Sequence, residues 1–156
     1  MDSFLSFDLS RNYSYFTVPA AFLLAGLPHV YAVLSSRALY DNANPRGHQD
    51  SVAKSETLDK MKQQCMLRAN AATANGLETL GFYASAVVAA NISGVETRTL
   101  NILTLGYVLS RLAYNFTYIW LQKNRRLASL RSLSWLLGIS LIWALWIKAG
   151  RRALAN

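Results

Sequence analysis

Two ionised side chains stand in stretches that otherwise carry none. Glu78 is the one charge between Ala69 and Val95, and Arg111 the one charge between Thr99 and Gln122. A charge at the centre of a membrane-spanning helix costs about 2.5–3.5 kcal/mol, so it faces a bundle interior or a watery cavity. Glu78 lies ten residues past Arg68, and Arg111 eleven residues before Gln122. At 1.5 Å per helical residue both sit about 15–17 Å below the same rim. Opposite charges at one depth can pair and fix helix register. Their neighbours favour more than a register device. Arg111, Tyr114 and Tyr118 fall at i, i+3 and i+7, and Arg68, Asn75 and Glu78 at i, i+7 and i+10, so each set shares one helix face. Two polar stripes running from midplane to rim are what a polar pocket, open to water and to lipid, requires. Tyr114, about 12 Å down, is too deep for a purely interfacial tyrosine.

Four elements must carry these stripes. Of 156 residues, 53% are hydrophobic and 15% charged, against about 25% charged in soluble domains. Asn12 to Ser36 is 25 residues without a charge, and Ser132 to Ile147 is also uncharged. About 20 apolar residues cross a bilayer core. We expect an all-α, integral membrane four-helix bundle as a single domain, residues 1–156, with spans at about 13–37, 68–95, 99–122 and 130–149. Pro19 and Pro28 should kink the first span. Trp120, Trp135, Trp143 and Trp146 suit an interfacial belt. Ala38 to Leu67 is a long polar loop in which Ser51 or Ser55 caps a helix running through Leu58, Met61 and Cys65. Gly94 to Arg98 is a short turn, and Lys123 to Arg131 a basic loop. The first and third loops and their flanks hold ten basic residues against five on the other side. That balance makes those loops cytosolic and the termini lumenal. The net charge of +8 is then topology rather than a nucleic-acid groove.

Other chemistries find little support. The single cysteine, Cys65, forms no disulfide framework. His29 and His48, 19 apart, have no acid or cysteine at ligand spacing, so no metal is expected. His29 reads as a hydrogen-bonded helix residue. No phosphate-binding glycine loop occurs.

The run Arg68-Ala69-Asn70-Ala71-Ala72-Thr73-Ala74-Asn75-Gly76-Leu77-Glu78 resembles the second-helix signature of the MAPEG family, membrane-associated proteins of eicosanoid and glutathione metabolism. Tyr31 to Arg37 followed by Asn44-Pro45 resembles the end of the family's first helix and its Asn-Pro loop. Arg111-Leu112-Ala113-Tyr114 with Tyr118 is similar to the third-helix motif, and Arg131-Ser132-Leu133-Ser134-Trp135 to the opening of the fourth.

The resemblance implies a homotrimer in the endoplasmic reticulum membrane, with glutathione and a lipophilic substrate meeting between subunits. It assigns glutathione binding to Arg37, Asn75, Glu78, Arg111, Tyr114 and Tyr118, with Arg68, one turn further out, as a substitute, and with Arg125 or Arg126 taking part of the role of Arg131. Arg131 and Ser132 match the pair placed near the thiol, with Tyr114 beside them as a catalytic residue. An arginine-rich pocket with one glutamate complements two carboxylates and an ammonium by charge-assisted hydrogen bonds, and a guanidinium favours thiolate. Ala71 and Thr73 stand where many members carry Arg and His. They motivate a second reading, a glutathione-independent isomerase or cyclase, and Arg68 is expected to compensate. A third is a non-catalytic membrane scaffold.

Overall fold

A computed structural model of the protein describes residues 8, 10–123 and 127–155. The described residues form five α-helices: α1 Thr17–Ser35, α2 His48–Lys54, α3 Lys60–Ile92, α4 Thr97–Trp120 and α5 Ala128–Ala155. Short 3-10 turns precede α1 (Ser14–Phe16) and α2 (Pro45–Gly47) and follow α4 (Leu121–Lys123). The segments Ser14–Ser35 and Ser129–Ala155 are long and apolar enough to cross a membrane. α3 and α4 have the length, but their polar stripes lower their hydropathy below that of the other two.

α1 packs mainly on α3, and α4 mainly on α5, while α3 also meets α4 and α5. The α1–α3 seam is made of small residues. Ala21, Ala25 and Ala32 meet Ala69, Ala72 and Gly76, all buried. A Cβ on Gly76 would come within 2.8 Å of the Ala25 Cβ, so glycine sets how closely the backbones approach, as in lipid-embedded helix pairs. At mid-height Tyr83 and Tyr107 stack at 3.7 Å between Thr17, Thr79 and Thr104, which take up their hydroxyls. Further along, Ile142, Leu145 and Ala149 of α5 close the core against Val87, Ala90 and Leu100.

α3 ends in a Schellman motif. Gly94 adopts φ +76°, its N–H donates to Asn91 O, and Val95 N–H donates to Ala90 O. This left-handed conformation favours glycine and allows the direct reversal into α4.

The long loop differs from its expected course. The cap of α3 is Asp59, whose carboxylate accepts from the Met61 and Lys62 N–H groups, and Leu58 lies before the helix. An aspartate one residue ahead of the helix outcompetes Ser51 or Ser55 for those amides. The loop instead folds a helix of its own, α2, which is clamped at both ends. Val52, fully buried, plugs it against Cys65, Met66, Ala69 and Ile119. Gln63 Nε2 donates to the Val52, Ala53 and Ser55 carbonyls at 2.7–3.3 Å, satisfying the helix's orphan acceptors. At the other end Ser36 Oγ donates to Ala32 O, so it accepts from His48 Nε2 at 2.8 Å. His48 Nδ1 is then an unprotonated, buried nitrogen without a partner among the described residues.

The prolines act differently from one another. Pro19 falls in the first turn of α1, where no backbone bond is lost and no kink is needed. Pro28 is interior and frees the carbonyl four residues back. That carbonyl, Leu24 O, accepts from Asn115 Nδ2 of α4 at 2.8 Å.

Two outcomes follow from these contacts. Asn115→Leu should cost about 1–2 kcal/mol in a detergent unfolding assay, as an orphaned buried acceptor does. Adding Pro28→Ala, which restores the helical bond, should recover most of that loss. Separately, burial, and then the nearby His29, hold the His48 pKa below its ordinary value. The unfolded or undocked state therefore binds the proton more readily. The docking of α2 is fully stable above the unfolded value and weakens as pH falls through the folded one. Amide protection factors of residues 48–54 should fall on acidification below about 6.5, and His48→Gln should flatten that dependence.

Candidate functional site

One cleft of about 710 Å³ opens at the end of the molecule that carries α2. Four helices reach it. α2 contributes Gln49, and α3 contributes Asn70, Ala71, Ala74, Asn75 and Glu78. α4 contributes Tyr114 and Tyr118. α5 adds Arg131, Ser132, Trp135 and Leu136. Helical periodicity explains each set. Residues 70, 74, 75 and 78 form one face, as do 114 and 118, and 131, 132, 135 and 136.

Six of the residues singled out by sequence thus meet in this cleft: Asn75, Glu78, Tyr114, Tyr118, Arg131 and Ser132. Arg111 lies directly behind its wall. Its guanidinium is 4% exposed, donates to Asn75 Oδ1 at a long 3.5 Å, and sits 4.7 Å over the Tyr114 ring and 5.7 Å over Tyr107. Its Nε and Nη2 are buried without partners among the described residues. Gly138 of α5 makes room for it. A Cβ there would stand 3.2 Å from Arg111 Nη2 and 2.9 Å from Ser110 Oγ.

Glu78 and Arg111 do not pair. Among the described residues the ion pair found is Arg11–Asp8, at 3.9 Å. Glu78 is exposed on the cleft, while Arg111 is turned inward onto an amide and two aromatic faces. Equal depth along two helices is not enough, because the two side chains leave their helices in different directions.

Arg131 rests 5.1 Å over the Tyr118 ring, and Tyr118 lies 5.6 Å from Tyr114. A guanidinium–phenol–phenol–guanidinium series therefore runs from the mouth to the buried base. Cation–π contacts of this kind are worth about 0.5–2 kcal/mol each. They hold the arginines without consuming their N–H donors. The Ser132 hydroxyl and the Glu78 carboxylate make no hydrogen bond among the described residues and face the opening.

The remaining assigned residues lie elsewhere. Arg37 is exposed in a 3-10 turn, Arg37–Leu39, and does not line the cleft. Arg68 does not compensate for Ala71. It donates Nη2 to Cys65 Sγ at 3.3 Å, off the cleft, and ten residues of helix turn it about 80° from Glu78, so the shared face expected from the spacing does not hold for Arg68. Arg125 and Arg126 lie outside the described residues.

Sequence reasoning missed Asn70, Gln49 and Trp135. Asn70 shares the face of Asn75 and Glu78, and Trp135 that of Arg131, so helical spacing held the signal for both. Trp135 forms part of the cleft wall. Gln49 depends on the docking of α2, for which no periodic signal exists. His29, expected to be hydrogen-bonded in its helix, bonds through Nδ1 to Asn70 Oδ1 at 3.0 Å.

No curated protein and no solved structure matched this chain. The family model described as "MAPEG family" matches residues 15–151, which takes in α1, α3 and α4, all but the last turn of α5 and every cleft residue. The motif run on α3, the tyrosine face on α4, the Arg-Ser opening on α5 and this match agree, and the chain is a membrane protein belonging to the MAPEG family.

Proposed function

We propose that the protein is a glutathione-dependent transferase or isomerase acting on a lipophilic electrophile. In this reading it has four spans and assembles as a homotrimer in the endoplasmic reticulum membrane, with α2 and the loop after α4 on the cytosolic side. The basic-residue balance supports that orientation. The observation that carries the functional reading is the buried Arg111, with two donors that have no partner among the described residues, set behind a cleft that also holds Glu78 and Ser132 without hydrogen bonds among the described residues.

The donor set fits glutathione. Glu78 is an acceptor suited to an ammonium. Asn75 offers a carboxamide for a peptide group, and its oxygen is polarised by Arg111. Arg131, Tyr118 and Ser132 supply donors for carboxylate and sulfur. Bound glutathione supplies a thiol. Arg131 and Arg111 lower the free energy of negative charge beside them, which is how a guanidinium favours thiolate over thiol. Ser132 and Tyr114 can donate to an oxyanion developing on a second substrate. Leu136 and the exposed apolar faces of α1 and α5 suit a substrate that enters from lipid.

A second reading, an isomerase or cyclase that uses the same donors without glutathione, is favoured by one observation. Ala71 and Ala74 give part of the wall as bare methyl surface, which leaves Arg131 as the one cation lining the cleft among the described residues.

Conjugation of a generic aryl halide by the purified protein, with and without glutathione, separates these. The proposed function predicts strictly thiol-dependent turnover. It also predicts a loss of about 100-fold in kcat/KM for Arg131→Ala, the usual scale for removing one preorganised donor, with a smaller loss for Tyr114→Phe. Thiol-independent conversion of a lipophilic substrate would favour the second reading. A cellular role unaffected by either substitution would favour a scaffold.

A further inference from the structure

Three cations stand together at the end of the molecule away from the cleft, and membrane topology gives no reason for them. Lys148, Arg151 and Arg152 are three of the five basic residues on the side with the smaller share of positive charge, where each works against the orientation that the other side favours. They fall at i, i+3 and i+4, so they share one face of α5. All three are exposed. They line a second cavity, of about 590 Å³, whose facing wall is the turn from α3 into α4 with Glu96 and Thr99. Glu96 is the one acid on that wall. Its carboxylate accepts from Thr99 Oγ1 at 3.2 Å, and among the described residues no ion pair joins it to Lys148, Arg151 or Arg152. Glu96 also makes no side-chain cap bond to the first amides of α4. Three cations facing a single carboxylate leave the cavity with a surplus of positive charge, which attracts an anion.

The height of the cavity says where that anion comes from. α5 runs for 28 residues, about 42 Å of helix against about 30 Å of hydrocarbon, so its last turns stand in the headgroup layer. Lys148 follows the exposed Trp143, a residue type of the membrane boundary, by about 7.5 Å along the axis. Toward the hydrocarbon, the Lys148 face of α5 continues through Leu141 and Leu137, seven and eleven residues below it. Leu137 is exposed, and Leu141 packs beside Gly106 of α4. Acyl chains have apolar surface to lie on directly beneath the cations. A soluble anion has no use for it.

We propose that this cavity binds the headgroup of an anionic glycerophospholipid, with its phosphate held by Lys148, Arg151 and Arg152 and its chains lying along the α4–α5 seam. Basic pockets between spanning helices recognise such headgroups. The proposal does not depend on the glutathione reading, because cavity and cleft lie at opposite ends of the helices.

Native mass spectrometry of the full chain in detergent, titrated with phosphatidylglycerol or with phosphatidylcholine of the same chains, tests this. The unaltered protein should bind phosphatidylglycerol more tightly than phosphatidylcholine. Lys148→Gln/Arg151→Gln/Arg152→Gln should weaken the phosphatidylglycerol Kd about 100-fold, the scale of three basic side chains at a membrane surface, and leave phosphatidylcholine unmoved. Glu96→Gln, which removes the competing carboxylate, should tighten phosphatidylglycerol. Lys54→Gln/Lys60→Gln/Lys62→Gln, which removes the same charge at the opposite end, should change neither lipid. Equal losses in the two triple variants overturn the proposal, since they report general charge attraction. Equal binding of the two lipids by the unaltered protein overturns it as well. So does displacement of phosphatidylglycerol by millimolar inorganic phosphate, which assigns the cavity to a soluble anion.

Discussion

The protein is organised around a guanidinium that has been taken out of water without an acid to neutralise it. Removing one partner from a buried pair leaves an uncompensated charge that costs several kcal/mol, and Arg111 stands in that condition by design of the sequence. A carboxamide and two phenol rings solvate it in part. The donors they leave unsatisfied, Nε and Nη2, lie beside Gly138 of α5. A guanidinium left without a carboxylate in a low-dielectric wall leaves residual positive potential there.

The rest of the fold can be understood as support for that residue. Gly138 thins α5 where it passes the guanidinium. The alanine–glycine seam brings α1 close to α3, and Asn115 repairs the α1 backbone at Pro28, so the helices flanking Arg111 are rigid despite the proline. The arginine–tyrosine contacts keep Arg111 and Arg131 aligned while their donors stay available. At the mouth, Gln63 and Ser36 clamp α2, and this short helix delivers Gln49 to the cleft rim.

Sequence alone revealed the parts that depend on period and on burial cost. The misplaced charges Glu78 and Arg111, the tyrosine face of α4 and the Arg-Ser opening of α5 were all readable, because a helix maps spacing onto faces. The relation between two helices was not. Equal depth suggested that Glu78 and Arg111 could pair, yet pairing also needs matched rotation about each axis, which the sequence does not encode locally. The same limit hid Arg68's turn toward Cys65. α2 escaped because seven residues in a polar loop give too short a periodic signal, and its stability comes from Gln63 and Val52 contacts made after folding. Asn70 was visible on the right face but had no reason to be singled out until His29 was found behind it.

The central claim is that the unneutralised Arg111 gives the cleft its affinity for an anionic ligand. It is tested most directly by equilibrium binding of glutathione to Arg111→Met, a substitution that keeps the packing volume while removing the charge. The account predicts a protein that is as stable as the original or more so, since a desolvated charge has been removed, and that no longer binds glutathione at millimolar concentration. A variant that binds as tightly as the unaltered protein would contradict it.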